Sequence, residues 1–123
     1  MNVVRNALCI IACLSTLVVG MAKAAGASHG QALYALMCSS CHSVEYNGVG
    51  PRHRGVFGRK SGSVPGYEYS PALKNALLVW NETNLDNWLT NPESVAPGQK
   101  MGFMVPSAAD RVDLIAYLKT LTP

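Results

Sequence analysis

The chain has 123 residues, enough for one small domain and too few for two. Its 10 basic and 7 acidic residues fall far short of the dense positive surface that nucleic-acid binding demands. The apolar residues are unevenly spread. They concentrate between Ala7 and Val19, with Arg5 ahead of them and Ala22-Lys23-Ala24 behind.

A charged start, a short apolar run and small residues at the cleavage positions form the pattern of a secretory leader. Cleavage is expected after Ala24, giving a leader at 1–24, a mature domain at 25–123 and a periplasmic location. The apolar run is short of the ~20 residues a spanning helix needs, so no stable membrane insertion is expected after cleavage. Cys9 and Cys13 leave with the leader. So do Arg5 and Lys23, which leaves 8 basic against 7 acidic residues. A nearly neutral protein predicts no strong long-range steering toward an acidic partner.

Residues 25–29 read as a loose lead-in. From Gly30 to about Met37, Ala32, Leu33, Leu36 and Met37 recur at helical spacing. Residues 43–67 are rich in glycine and basic residues and contain Pro51 and Pro65, which predicts loop. Ser70-Pro71 starts a helix, with serine as cap and proline in the first turn, expected to run to about Leu77. A third helix is expected near Thr83, with Thr83 and Asp86 as a capping pair and Leu85, Trp88 and Leu89 on one face. Asn91-Pro92 ends it. Residues 92–106 hold three prolines and two glycines and read as loop. The last helix starts at Ser107, with Val112, Leu114, Ile115, Tyr117, Leu118 and Leu121 as its apolar stripe. No strand pattern stands out.

The expected architecture is all-α: four to five short helices joined by loops long for so small a domain. Loops of that length need a function or a ligand to organise them. A small domain also needs a staple, and two cysteines three residues apart provide no disulfide framework. The core is therefore expected to form around something that is not protein.

Cys38-Ser39-Ser40-Cys41-His42 supplies the candidate, since it is the attachment signature of a c-type haem. Two thiols at this spacing can add to the two vinyl groups along one porphyrin edge. The next residue, His42, is then held beneath the iron, where tethering makes its ligation effectively intramolecular. A dithiol redox site shares the Cys-x-x-Cys spacing but belongs to sheet-based folds. A zinc site needs about four ligands, to which His29 or His53 would have to contribute. A disulfide between Cys38 and Cys41 would leave the long loops unexplained. The other axial position of the iron has Met37, Met101, Met104, His29 and His53 as candidates. Met37 sits on the first helix beside the haem cysteines and cannot reach the opposite face. Met101 follows Pro97-Gly98-Gln99-Lys100 in a loop suited to laying a thioether over a flat cofactor, and Met104 is its local competitor.

From Gly30 to about Lys119 the chain resembles the mitochondrial and alphaproteobacterial class I cytochromes c. The likeness is carried by Cys38-Ser39-Ser40-Cys41-His42, by Gly50-Pro51 with Gly55-Val56-Phe57-Gly58-Arg59-Lys60, and by Pro65-Gly66-Tyr67-Glu68-Tyr69-Ser70. Asn91-Pro92 with Pro97-Gly98-Gln99-Lys100-Met101, and Arg111 through Leu118, complete it in the same order. The resemblance implies the class I fold wrapped around one covalent haem c, with Met101 as the distal ligand. It implies that Pro51 packs beside His42, its region's carbonyl orienting the imidazole, and that Arg59, Tyr69 and Trp80 hold a buried haem propionate. Gly30 and Tyr34 of the first helix would cross Leu114 and Tyr117 of the last, and Phe103 would cover the haem near its exposed edge.

There are departures. Trp88 stands where the family often has a tyrosine whose hydroxyl reaches the methionine sulfur. Its indole N–H either takes over that bond or falls short. Gln99 replaces a threonine that usually supports a propionate, and Leu73 replaces an asparagine of the distal network. Met37 and Glu93 occupy positions that are often lysine in mitochondrial forms, which thins the ring of docking lysines.

The function this implies is a monomeric one-electron carrier, not an enzyme. It would shuttle between redox proteins such as a membrane oxidoreductase, an oxidase or a dehydrogenase. With both axial positions filled the iron is closed to substrate, and Met/His ligation raises its potential. The mature protein is expected to begin near Ala25. Intact-mass spectrometry of native material should show a chain without residues 1–24 and with one added haem. Free thiols at Cys38 and Cys41 in that material would contradict it.

Overall fold

The computed structural model describes residues 26–123, and the expected leader lies outside them. Among the described residues five helices form, within the four to five expected: α1 (26–37), α2 (Pro71–Asn75), α3 (Glu82–Thr90), α4 (Pro92–Val95) and α5 (Ala108–Thr120). Among the described residues there is no strand. A single antiparallel bridge pairs Lys60 with Val79.

Helix α1 is already helical ahead of Gly30, where the periodicity first shows, across residues 26–29 that read as a loose lead-in. The part ahead of Gly30 is held by a tertiary contact. His29 Nδ1 lies 2.8 Å from Asp113 Oδ2 on α5. At Gly30 the two helices nearly touch: a Cβ there would sit 1.9 Å from the Asp113 carbonyl oxygen and 2.9 Å from Tyr117 Cβ. Tyr34 packs on Tyr117 one turn later, ring centroids 5.3 Å apart.

Ser70 caps α2, accepting from the Leu73 amide at 3.2 Å. This helix stops at Asn75, two residues short of expectation. Leu77 takes a left-handed backbone (φ 52°) and is 88 % exposed. The chain is pulled away from the helix by pairing with the loop. Ser61 N donates to Leu78 O at 2.8 Å, and Leu78 N donates to Ser61 Oγ at 3.1 Å. Those bonds offset the roughly 1–2 kcal/mol that a left-handed leucine costs.

The expected Thr83–Asp86 capping pair does not form. Asn81 caps α3 instead, accepting from Asn84 N at 2.8 Å. Asp86 turns to Arg111 of α5, whose Nε approaches to 2.7 Å. Asn91 then serves two helices. It closes α3 and its side chain caps α4, with Pro92 in the first turn. Residues 92–95, expected as loop, are therefore helical. The dipeptide that must stop one helix also supplies the two residues best suited to start another.

Ser107 caps α5 as expected, accepting from Asp110 N at 3.2 Å. Leu114, Ile115 and Leu118 are buried, whereas Val112 is 64 % exposed and lies outside the core stripe. Leu85, Trp88 and Leu89 of α3 meet these residues, and Leu33 and Tyr34 of α1 complete the core.

Replacing Gly30 with alanine forces α1 off α5, because the obstacle is a backbone carbonyl. Overpacking of this kind costs about 1–3 kcal/mol. Denaturant unfolding of Gly30→Ala should show a midpoint lowered by that equivalent, with an unchanged m-value.

Candidate functional site

The site starts where α1 ends. Its hydrogen-bond ladder continues into a tight turn: Cys38 N donates to Tyr34 O at 2.9 Å, Cys41 N to Cys38 O at 3.1 Å, and His42 N to Cys38 O at 2.8 Å. The three signature residues thus occupy one turn. Both thiols are free, Cys38 partly buried and Cys41 exposed. Burial, with a smaller contribution from Cys41, pushes the Cys38 thiol up to about 11.

His42 is oriented from two sides. Its Nδ1–H donates to the Pro51 carbonyl at 2.8 Å, which leaves Nε2 as the free lone-pair nitrogen. Burial holds its pKa below the ordinary histidine value, against the opposing pull of the Pro51 bond. Gly50 lies flat against the ring: a Cβ there would be 2.2 Å from His42 Cε1. On the ring face sits His53, stacked with centroids 4.0 Å apart and planes 19° apart. Burial, then the nearby His42 and Arg59, drives His53 well below the ordinary range and keeps it neutral.

Met101 is held by the loop behind it. Its sulfur accepts from the Trp88 indole N–H at 3.1 Å, so the tryptophan does take over that contact. The Met101 amide donates to Gln99 Oε1. Glu93 at the start of α4 accepts from Gly98 N at 2.9 Å and from Gln99 Nε2 at 3.3 Å. Lys100 Nζ donates to Glu68 O at 3.1 Å. Met101 packs on the core, whereas Met104 is 54 % exposed. Phe103 is also substantially exposed. Leu73 packs as an apolar residue against the core.

Arg59, Tyr69 and Trp80 line the loop side. Arg59 Nη1 and Nη2 donate to the carbonyls of Arg54 and Arg52, each at 3.0 Å. Its Nε is buried and has no partner among the described residues. Burial lowers the Arg59 pKa, with Tyr69 opposing that shift and Arg52 adding to it. The Tyr69 hydroxyl accepts from Val64 N at 3.3 Å, which leaves its own O–H to donate. Trp80 is buried and meets Trp88 edge-on, 5.3 Å between ring centroids.

These residues fit a haem. An orphaned buried guanidinium N–H and a phenol O–H suit a carboxylate brought in by a ligand. Two free thiols and an imidazole with a bare Nε2 suit covalent attachment and iron ligation. The zinc alternative fails, since no group of three or more His, Cys, Asp or Glu converges among the described residues. Gln99 is occupied with Met101 and Glu93. The spacing of the sequence carries no signal for the Glu93–Gly98 clamp or for the His53 stack, and by residue type alone His53 reads as an iron or zinc ligand.

Fold and site together define a c-type haem protein. The family described as Cytochrome c matches residues 27–122. Cytochrome c of Euglena viridis is 46% identical over 98 residues, covering 77% of this chain and 96% of that protein. Cytochrome c2 of Rhodomicrobium vannielii is 47% identical over 87 residues, covering 68% of this chain and 70% of that one. Among solved structures, cytochrome cH from Methylobacterium extorquens superposes with a TM-score of 0.71 at 45% identity, covering 76% of this chain and 97% of that one. The chain belongs to the cytochrome c family. With that membership come a covalently bound haem c and the role of an electron carrier.

A side chain at position 50 must displace the His42 ring. Gly50→Ala should weaken the Nδ1–Pro51 bond, with a loss of about 1–3 kcal/mol in stability. It should also shift the reduction potential, which potentiometric titration would detect.

Proposed function

We propose that the mature chain is a monomeric one-electron shuttle of the periplasm, exported by the leader at 1–24, with His42 and Met101 as the axial iron ligands. When bound, the haem supplies reversible one-electron chemistry at an iron whose potential is raised by Met/His ligation. The chain's own residues do the rest. Cys38 and Cys41 tether, Pro51 orients His42 and packs beside the cofactor, and Trp88 aims the Met101 sulfur. Arg59, Tyr69 and Trp80 offer donors to a buried propionate, so that its charge is compensated rather than stranded. Phe103, on the exposed stretch after Met101, covers the edge where a partner would approach.

The observation that carries this reading is the Trp88–Met101 bond of 3.1 Å. A thioether held by a buried indole, with its loop clamped by Glu93 and Gln99, favours a closed site over an open catalytic one. A shell packed to protein density also moves little between oxidation states. Both points support a carrier rather than an enzyme. Redox proteins are the partners that chemistry calls for: a membrane oxidoreductase, an oxidase or a dehydrogenase. The near-neutral mature charge supports docking with little long-range steering.

The ligand assignment has a direct test. Met101→Ala should abolish the weak far-red sulfur-to-iron band of the ferric protein, lower the potential and admit carbon monoxide to the ferrous form. Cyanide affinity should rise more than about tenfold, equivalent to about 1.4 kcal/mol. Met104→Ala should leave all four properties unchanged. Loss of the band in Met104→Ala with retention in Met101→Ala would reverse the assignment. Tight carbon monoxide binding by the unmodified protein at neutral pH would instead favour an enzyme or sensor.

A further inference from the structure

His53 is an odd residue for its place. It opens the turn closed by Val56 N donating to His53 O at 2.9 Å, with its ring against His42 and Tyr34. An imidazole carries two nitrogens into that setting, and burying them unpaired is unfavourable. One is met: His53 Nδ1 is 3.1 Å from the Tyr34 hydroxyl. The His53 backbone is also fixed, its N–H donating to Ser43 O at 2.9 Å, one residue beyond His42. The ring cannot swing freely. Tyr34 itself is wedged, edge-on to His53 (5.6 Å) and tilted on Tyr117 of α5 (5.3 Å).

The result is a row of rings, Tyr117, Tyr34, His53 and His42, leading from the α1–α5 crossing to the iron-binding imidazole. Its last step is a stack with 4.0 Å between centroids and 19° between planes. The Pro51 carbonyl holds one nitrogen of His42 and so restricts the ring edge. That bond and the Gly50 backbone beside Cε1 act near the Nδ1–Cε1–Nε2 edge of the ring. A parallel ring against the face restrains its plane.

We propose that His53 is a positioning residue for the axial imidazole: stacked on His42 and pinned by Tyr34, it sets the rotation of the His42 ring. This rests on His42 being the iron ligand. The orientation of an axial imidazole plane governs how unpaired spin is distributed over a ferric haem. The four haem-methyl proton resonances therefore report it, whereas a general loss of packing lowers stability without re-ordering them.

The experiment uses the ferric holoprotein and three variants. His53→Leu removes the ring and should re-order or re-space the haem-methyl resonances and shift the midpoint potential. His53→Phe keeps a flat ring without the nitrogens and should retain most of the wild-type methyl pattern. Tyr34→Phe keeps both rings but frees His53, and should move the same resonances in the same direction as His53→Leu by a smaller amount. The proposal is overturned if His53→Leu lowers only the unfolding midpoint, if His53→Phe moves the pattern as far as His53→Leu, or if Tyr34→Phe moves nothing. Should His53→Leu fail to fold, the other two variants decide. Failure of the underlying ligation reading looks different, because the wild-type spectrum would then lack the strongly shifted ring protons of a bound His42.

Discussion

The end of α1 is the constraint on which the rest depends. Its helical bonds run on from Tyr34 O through Cys38 O, so two thiols and an imidazole share one turn. In the proposed ligation, a haem tethered there would have one face committed to His42. The rest of the chain must supply the opposite face and enclose the edge. The α1–α5 crossing at Gly30 buries the apolar faces. The segments 43–70 and 96–106 hold the residues that would enclose the haem.

Those loops are not idle connections, because their polar groups are accounted for one by one. Asn47 bridges two of them, its Nδ2 donating to Pro65 O and its Oδ1 accepting from Arg52 N. Tyr67 donates to Val49 O at 2.8 Å. Against this background the partnerless Nε of Arg59 stands out. A buried donor without an acceptor costs about 1–3 kcal/mol, so its presence argues for an anion that completes the set. The same logic applies at the other end of the site. Arg111 is tied to Asp86 and to the carbonyls of Val105 and Pro106, fixing the exit of the Met101 loop to α3 and α5.

Three departures from the pattern of related cytochromes turn out to be structural substitutions. Trp88 reaches the Met101 sulfur with its indole N–H. Gln99 accepts from the Met101 amide. Glu93, where lysine is often found, clamps the turn at Gly98, whose φ of 88° suits glycine. A carboxylate at this position exchanges a cation that could face a partner for an anchor on the ligand loop. Leu73 adds apolar packing where the pattern has a polar group. Together these changes tie the Met101 loop into a short local network with an indole, rather than a tyrosine hydroxyl, at the sulfur.

The sequence by itself determined the haem motif, the all-α class, two of the three helix caps it named (Ser70 and Ser107, but not Thr83), and the membership that the five matched segments carry. It could do so because these signals are local: a thiol pair and histidine within five residues, a serine before a proline, apolar residues repeating every three or four. Tertiary structure alone decided the rest. Whether Trp88 reaches residue 101, why α2 stops before Leu77, and what lies on the face of His42 depend on segments far apart in the chain. Spacing cannot report such contacts, since each is set by how a loop folds back and by the polar groups it must satisfy on the way.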